Sequence, residues 1–458
     1  MNCPRQYVAS NAARRQSVVM TVRVDENGIV RRIQKIFIPT DGLYMRVFMA
    51  WLALTCSGSY SAAHADSPLL LPFDVKAEVV HKELSPEFCW FHPRVAAIPV
   101  AGTDGRPAVV MTIQKHLVAS DHYSGMYFLR TDDLGQSWTG PTEIPALAWQ
   151  FGENDETIAV CDVTPGWHAL TRKMLAIGIK LRYSKDGKHL LDKPRSHECA
   201  YATYDPELGR WTRWKMLAMP ETDRKFFLVA PGCVQWLVNS DGTLLLPIYF
   251  KSESGDDYTT TVLHCSFDGQ ELRYLEHGDE LAIRGGRGFV EPSLILHQGT
   301  YFLTLRNDKA AYVTKSTDGL HFQPVIKWRF DDGQELGSYN TQAHWLAHSN
   351  GLFLTYTRRG ANNNHIPRNR APIYIAQVDP TKVHVLRKTE RAVLPERGVM
   401  LGNFGAAAIT PDESWVTDSE YILGTTPHSK GGDGSTWLGR VKWSKPNRMI
   451  EDAAQVRQ

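Results

Sequence analysis

A glutamate and an arginine lie at the two ends of one apolar hairpin in the sequence. Residues 291–308 read EPSLILHQGTYFLTLRND, in which a turn that contains glycine separates two apolar runs. If the runs pair as antiparallel strands, Glu291 and Arg306 lie where an apolar strand meets a charged end. Two interpretations are open at this point. The side chains form an ion pair across the hairpin, or they belong to a site that binds a ligand.

His168 is a second candidate for contact with a ligand. It precedes the apolar run KMLAIGI at 173–179, and an inner strand there would place it beside a cleft, although a single histidine is more often structural. The 17 histidines of the chain follow no metal-ligand spacing. The sequence also contains no phosphate loop, dinucleotide fingerprint or nucleophile elbow. It therefore predicts neither a metal site nor a cofactor.

Short apolar runs recur along the chain and must position these side chains. They occur at 107–113, 173–179, 242–250, 299–305 and 351–357, and a sixth unit follows at 406–423. A spacing of about 50–70 residues suits the four-stranded blades of a propeller, whose innermost strands line a central channel. We expect an all-β fold, a six-bladed β-propeller of four-stranded antiparallel blades over residues 66–445. A polar C-terminal tail would follow at 446–458.

A turn motif recurs in the same region. The segment TDDLGQSW at 131–138 fits the Asp-box pattern Ser/Thr-x-Asp-x-Gly-x-x-Trp, and less complete copies begin at Ser184, Ser266 and Ser316. In such a turn the aspartate accepts backbone N–H groups, the glycine takes a positive φ, and the aromatic ring packs beneath. These residues are therefore predicted to support the fold and not to catalyse a reaction.

The N-terminal region has the pattern of a secretion signal. From Met45, one basic residue precedes an apolar run from Val47 to Thr55, and small residues follow up to Ala65. This pattern is typical of a signal peptide at 45–65 that is cleaved after Ala65, so it predicts export to the periplasm or beyond. We interpret residues 1–44 as an upstream extension that is not native to the protein.

Charge and cysteine content narrow the possible partners. The formal net charge of +2 gives no reason to expect nucleic acid or an anionic membrane as the partner, and no segment after residue 66 is apolar enough to span a membrane. Five cysteines remain after residue 65, at positions 89, 161, 199, 233 and 265. Their odd number leaves at least one free thiol and allows one or two disulfides, whose pairing the spacing does not define.

The Asp-boxes in a strand-rich chain with an export signal resemble those of the sialidase (neuraminidase) superfamily of six-bladed propellers. The resemblance covers most of residues 75–445. It implies a glycosidase that binds a sugar bearing a carboxylate, with three arginines around that carboxylate. It also implies a tyrosine nucleophile, a glutamate that activates it, and an aspartate as acid and base. Arginine suits the first task because its planar guanidinium matches a carboxylate in charge and in geometry.

The resemblance assigns roles to residues of this chain. Arg94 in FHPRVAAIP resembles the first arginine motif of the family, with two residues inserted. Asp121, just ahead of the first Asp-box, lies where the family has its acid. Glu291 and Arg306 match the glutamate and the second arginine. The third arginine is placed at Arg370.

Two roles of the family pattern, the third arginine and the tyrosine, have no single match in this sequence. Arg359 and Arg368 are alternatives to Arg370 as the third arginine. Phe404 in LGNFGAAAITPDESW, or Asn403 if the register shifts by one, stands where the family has its tyrosine. Phenylalanine can neither attack nor take up a proton, so Phe404 is expected only to contact the substrate. Tyr339 could approach from a neighbouring blade, although no motif supports it.

Three functions therefore remain open from the sequence. The first is an exported sialidase-like glycoside hydrolase that acts on sialic acid or another acidic sugar, with water activated by Glu291 in place of the tyrosine. The second is a propeller that binds acidic glycans without turnover. The third is a lyase or hydrolase that acts on uronic-acid polysaccharides. The sequence does not indicate an oligomeric state.

Overall fold

The computed structural model describes residues 17–24, 30–38, 69–118, 121–152, 156–185, 188, 190, 197–220 and 224–450. The chain divides into two compact units, at 1–67 and 68–458. In the first unit, Ser17–Val24 and Val30–Ile38 pair as antiparallel strands. The predicted signal peptide at 45–65 lies outside the described residues. In the part of the chain that is described, no helix is long and apolar enough to cross a membrane.

Six antiparallel sheets follow one another along the second unit and form the blades of a propeller, which confirms the predicted fold class. Blade 1 consists of Phe88–Ile98, Ala108–Leu117, Tyr123–Thr131 and Thr139–Glu143. Blade 2 consists of Gln150–Phe151, Thr157–His168, Lys173–Tyr183, Glu198–Asp205, Arg210–Trp211 and Lys215–Met216. Blade 3 consists of Leu228–Ala230, Leu237–Val238, Leu244–Lys251, Thr259–Phe267, Leu272–His277 and Leu281–Ala282.

The remaining three blades have the same antiparallel order. Blade 4 consists of Val290–His297, Thr300–Arg306, Ala311–Ser316 and Ile326–Lys327. Blade 5 consists of His344–His348, Gly351–Tyr356, Ile373–Asp379, His384–Val385 and Arg391–Leu394. Blade 6 consists of Gly405–Thr410, Glu413–Ser419, Ser435–Trp443 and Phe73–Lys82. Short 3-10 helices span Thr103–Gly105, Pro145–Leu147, Pro367–Asn369 and Arg387–Thr389.

Blade 6 joins the two ends of the propeller. Its outermost strand, Phe73–Lys82, comes from the start of the second unit and pairs with Ser435–Trp443 from its end. Phe73 lies opposite Trp443, and Lys82 lies opposite Ser435. This pairing covers a strand edge that would otherwise be open, which is how propellers protect their sheet edges.

The recurring apolar runs form the second strand of a blade and not the innermost one. The run at 173–179, interpreted above as an inner strand, lies in Lys173–Tyr183, whereas Thr157–His168 is nearer the channel. Second strands are covered on both faces, so they read as continuous apolar sequence. Leu244–Lys251, for example, is buried over its whole length except the last residue.

The five cysteines of the second unit are all buried and free, so the one or two disulfides allowed by their number are not formed. Four of them lie in packed strands and Cys233 lies in a turn. Burial raises the pKa of the thiols of Cys89 and Cys265 to about 12. Thiols with so high a pKa are weak nucleophiles at neutral pH.

The propeller has two distinct faces. The back face carries the turns between the first and second strands of each blade, such as Gln298-Gly299 in blade 4. The front face carries the connections between second and third strands, such as the one that includes Asp121 in blade 1 and residues 307–310 in blade 4. In blade 4, Glu291 is the second residue of the first strand and Arg306 ends the second strand, so both lie towards the front.

The chain remains packed beyond the last strand. Asn447, placed above in a polar tail, is 1% exposed. Its amide donates to the Ala347 carbonyl at 2.9 Å, and its side-chain oxygen accepts from Ser349 N at 2.9 Å. The packed body therefore extends at least to Asn447.

Candidate functional site

The hairpin of blade 4 brings Glu291 and Arg306 into direct contact. Val290 pairs with Arg306 in the ladder, and Arg306 Nη1 donates to Glu291 Oε1. Arg306 Nη2 donates to Asn340 Oδ1 of the following blade at 2.7 Å. The side chains of Arg306 and Glu291 are largely buried, at 5% and 13% exposure. Glu291 Oε2 has no hydrogen-bond partner among the described residues. The pair is therefore not a solvated strand end.

Arg370 reaches the same place from blade 5. Its Nη2 and Nε donate to the Asn340 carbonyl at 2.6 and 3.2 Å. The loop that carries it is held by buried Asn363, whose amide donates to the carbonyls of Arg358 and Ala371. Burial, together with the neighbouring charge of Arg306, lowers the pKa of Arg370 to about 10. Among the described residues, Arg370 has no carboxylate in ion-pair contact.

Arg94 approaches the cluster from blade 1. It is 1% exposed and also lines a cavity of about 160 Å³ in the channel. Its Nη1 makes one long hydrogen bond, 3.4 Å, to the Val163 carbonyl, while Nε and Nη2 have no partner within the described chain. Although burial opposes its charge, nearby Cys233 and Asp162 raise the pKa of Arg94.

Each blade contributes one residue with positive φ, in its innermost strand or in the segment next to that strand. These six residues, which we call the ring, are His92, Asp162, Cys233, Glu291, Asn340 and Gly402, with φ between 46° and 100°. Neighbouring members contact each other: His92 Nε2 lies 2.8 Å from Asp162 Oδ1, and Cys233 N donates to the Asp162 carbonyl at 3.1 Å.

The ring coincides with irregularities of the inner strands. The ladder shifts between Phe91 and Arg94 in blade 1 and between Val290 and Ser293 in blade 4. Such bulges redirect side chains and occur often beside active sites. Non-glycine residues at positive φ are uncommon and concentrate at functional sites. Five of the six ring residues are of this kind, which marks the ring as the candidate site.

His92, Asp162 and Cys233 are the ring residues that could offer ligands to a metal ion, because their ligand atoms lie within 4.8 Å of one another. However, His92 and Asp162 already contact each other, and Arg94 lies beside Asp162 and Cys233. A divalent cation next to a buried guanidinium is disfavoured by Coulomb repulsion, which is strong in an interior of low dielectric. We therefore interpret the trio as a histidine–carboxylate pair beside a buried thiol.

Asp418 supports the ring from the second strand of blade 6. Its Oδ2 accepts from Gly402 N at 2.6 Å, and its Oδ1 accepts from Ser419 N at 2.8 Å. Burial raises the pKa of Asp418 to about 7, against the opposing effect of these hydrogen bonds and of Arg94 and Arg370. A carboxyl group with this pKa can hold or release a proton near neutral pH.

Asp121 lies at the rim and not in the ring. It is exposed, has a φ of 52° and belongs to the front-face connection of blade 1. Its carbonyl accepts from the Tyr183 hydroxyl at 2.9 Å, and the Tyr123 hydroxyl lies 3.5 Å from its Oδ1. Its carboxylate is therefore open to solvent at the edge of the cleft.

Two other residues considered from the sequence, His168 and Phe404, lie away from the cluster. His168 pairs with Lys173 at the back-face end of its hairpin and contacts the Gly242 carbonyl at 2.8 Å. Phe404 is fully buried against His344, with ring centroids 5.1 Å apart. The structure therefore places neither His168 nor Phe404 where it would touch a ligand at the ring. Contact of His168 or Phe404 with a substrate stays a prediction.

The alternatives for the third arginine and the nucleophile are not members of the ring. Arg359 stacks on Tyr339, with its guanidinium 4.1 Å from the centroid of the tyrosine's aromatic side chain. It also donates to the Lys309 carbonyl. The Tyr339 hydroxyl donates to Asn369 Oδ1 at 2.8 Å. Arg368 is exposed at the rim. Of the three arginines, Arg370 is the one that shares Asn340 with Arg306.

Sequence reasoning missed most of the ring. His92, Asp162, Cys233, Asn340 and Asp418 belong to no recognised motif, and they come together only when the blades close. One signal was present, because His92-Pro93 and Glu291-Pro292 are similar dipeptides at equivalent positions of two blades. Aligning the inner strands on these dipeptides would have identified the ring position in blade 1.

Replacement of Gly402 by Ala is expected to destabilise the protein by about 2–4 kcal/mol. The residue has a φ of 100°, and a Cβ would lie 2.9 Å from three carbon atoms of Arg370. The matched control is Gly424→Ala, at a φ of 126° with no atom within 4 Å of the added Cβ. Urea unfolding should show a smaller loss for the control. Equal losses would mean that contact with Arg370 is unimportant.

Comparison with known proteins identifies relatives by structure alone. Neither a family model nor a curated protein sequence matches the chain. The Trypanosoma rangeli sialidase superimposes with a TM-score of 0.53 at 13% identity, over 84% of this chain and 62% of that one. The chain thus spans less than two thirds of that protein.

Two further solved structures are similar. A variant of the NanB sialidase of Streptococcus pneumoniae has a TM-score of 0.53 at 12% identity, over 86% of this chain and 73% of that one. The phage phi92 endosialidase has a TM-score of 0.51 at 8% identity, over 81% and 69%. At these identities the comparison shows a sialidase-like propeller fold and no more.

Proposed function

We propose that this protein is a sialidase-like glycoside hydrolase that acts on a sugar bearing a carboxylate, and that it is exported by the signal peptide at 45–65. The observation that carries the proposal is a pair of buried guanidinium groups, Arg94 and Arg370, which have no carboxylate in ion-pair contact among the described residues. Burying a charge without a partner is costly. An anionic ligand would supply the missing charge for Arg370, whose pKa is lowered, and would supply hydrogen-bond acceptors for the unpartnered Nε and Nη2 of Arg94.

The arrangement of donors suits a carboxylate. Arg306 and Arg370 both contact Asn340, which fixes their positions relative to each other. Arg306 Nε and two nitrogens of Arg94 have no hydrogen-bond partner among the residues the structure describes. Guanidinium groups held in this way can receive a carboxylate through charge-assisted hydrogen bonds. Solved complexes of the similar Trypanosoma rangeli sialidase contain 2,3-difluoro-KDN and the inhibitor DANA.

Hydrolysis requires an acid and an activated nucleophile. We assign the acid to Asp121, whose exposed carboxyl group at the rim gives its proton to the leaving oxygen as the glycosidic bond breaks. Water attacks the anomeric carbon and passes its proton to Glu291, whose Oε2 has no hydrogen-bond partner in the described part of the chain. No tyrosine stands at the ring position of blade 6, which is Gly402. A single displacement by water would invert the anomeric centre.

A panel of glycosides tests the proposal. The purified protein would be incubated with aryl glycosides of sialic acid, glucuronic acid, galacturonic acid and glucose, and the first product anomer would be followed by proton NMR. We expect release from one of the acidic glycosides, none from the glucoside, and an inverted product. A retained product would show that the direct attack by water is wrong.

The other two functions give different results in the same experiment. Calorimetric binding of the free acidic sugar without release of product would identify a binding propeller. An unsaturated product that absorbs in the ultraviolet, formed from a uronate polymer, would identify a lyase. Either result would overturn the hydrolase assignment.

A further inference from the structure

A basic groove lies next to the ring on the front face. It has a volume of about 380 Å³ and lies between blades 4 and 5. Its walls are formed by Lys309, residues 334–337, residues 358–360 and Arg387. This volume lies within the range of small-ligand sites, about 300–1,000 Å³.

The cations in this groove are of two kinds. Arg358 and Arg387 are neutralised by Glu390 and Asp332, at 2.7 and 2.6 Å. Lys309 and Arg359 are exposed, and neither forms an ion pair with a carboxylate among the described residues. Glu335 also lines the groove, but it is paired with Lys327 at 3.1 Å. The groove therefore has a local excess of positive charge, whereas the whole chain is nearly neutral.

Residues that are neighbours in sequence link the groove to the ring. Arg359 lies over Tyr339, and the next residue is Asn340, which accepts from Arg306 and Arg370. On the opposite wall, Lys309 follows Asp308, whose Oδ1 lies 3.7 Å from Arg306 Nη2. A ligand held by its carboxylate at the ring would therefore find a second cationic site directly beside the first.

We propose that this groove binds a second acidic residue of an anionic polysaccharide, so that the substrate is an oligomer or polymer and not a single acidic sugar. The inference rests on the proposed function and specifies its substrate. The groove is not suited to single-stranded nucleic acid, which needs exposed aromatic faces for base stacking. Phe330 is buried beneath Arg387, 3.6 Å from its guanidinium, and Tyr339 is covered by Arg359.

The test compares polymer with monomer in the full chain. The variants are Lys309→Gln, Arg359→Gln and the two combined, and the matched control is Lys442→Gln, an exposed lysine of blade 6. KM would be measured for polysialic acid and polygalacturonate, and kcat/KM for the corresponding aryl glycosides. The double variant is expected to raise KM for one polymer by about 3–20-fold while leaving the monomer unchanged. Added salt should reduce the difference.

A binding measurement separates failure of the groove proposal from failure of the proposed hydrolase function. Affinity electrophoresis in gels containing each polymer measures binding without turnover. If the wild type binds a polymer through Lys309 and Arg359 but cleaves no glycoside, the groove is correct and the hydrolase is wrong. If the variants lose monomer and polymer activity equally, or lose neither, the groove proposal is overturned. Equal loss of binding to single-stranded DNA would overturn the choice of a polysaccharide.

Discussion

Replacement of Asp121 by Asn is expected to lower kcat for an acidic oligosaccharide by about 10²–10⁴-fold, the contribution typical of a general acid. The asparagine keeps the shape of the side chain and its tolerance of a φ of 52°, but it cannot give up a proton. The loss should be much smaller for a nitrophenyl glycoside, because nitrophenolate leaves without protonation. Initial rates on both substrates, with KM measured separately, check the result.

The control for this variant lies in the same blade on the opposite face. Asp104→Asn changes another exposed aspartate with a similar φ, 55°, in the turn after Phe88–Ile98. It should leave both rates unchanged. If Asp121→Asn lowers the rates on the two substrates by the same factor, Asp121 has a structural role in its loop and another residue is the acid.

Replacement of Arg370 by Gln is expected to lower kcat/KM for an acidic glycoside by about 10–100-fold, because hydrogen bonds to a charged group contribute about 1.5–3 kcal/mol. The same variant is expected to be more stable without ligand. Burial lowers the pKa of Arg370 from the usual arginine range to about 10, which corresponds to a cost of about 3 kcal/mol for its buried charge. Because the pKa of Arg370 is lower in the folded state than in the unfolded state, its charge destabilises the folded protein at every pH below about 10.

Some of that gain is lost with the hydrogen bonds to Asn340. The net increase in the free energy of unfolding is therefore expected to be about 1–2 kcal/mol. Urea unfolding at neutral pH measures it, with Arg391→Gln, an exposed arginine at the outer part of the same blade, as the control. Lower stability with unchanged activity would show that Arg370 is a structural residue. Loss of activity together with a gain in stability is typical of a residue that is needed for function but destabilises the folded state.

The fold was predictable because its signals are local and repeated. Each blade has a second strand that is buried on both faces, so runs such as 242–250 are apolar throughout and can be recognised without knowledge of their neighbours. The innermost strands were harder to recognise, because they alternate between channel and core and contain bulges. The strand Phe73–Lys82 was not identified as part of blade 6, since its partner lies at the other end of the chain.

The candidate site was predictable where one hairpin contains both partners. Glu291 and Arg306 are close in sequence, and antiparallel pairing brings them to the same end of blade 4. Arg94 and Arg370 were located only through their resemblance to family motifs. For Phe404 the resemblance gave a position that faces the core, two residues from the ring position at Gly402.

The sequence by itself determined the class of the fold, the number of blades and the hairpin that joins Glu291 to Arg306, because periodicity and turns act over short distances along the chain. Only the tertiary structure decided which residues meet around the ring, since one comes from each blade and no short-range pattern links His92 to Asp162 or Asn340 to Arg370. It also decided which charges remain unpaired. The pairing of each charge depends on burial and on neighbours from other blades. Within the described ranges, Arg94 and Arg370 are buried without a carboxylate in ion-pair contact.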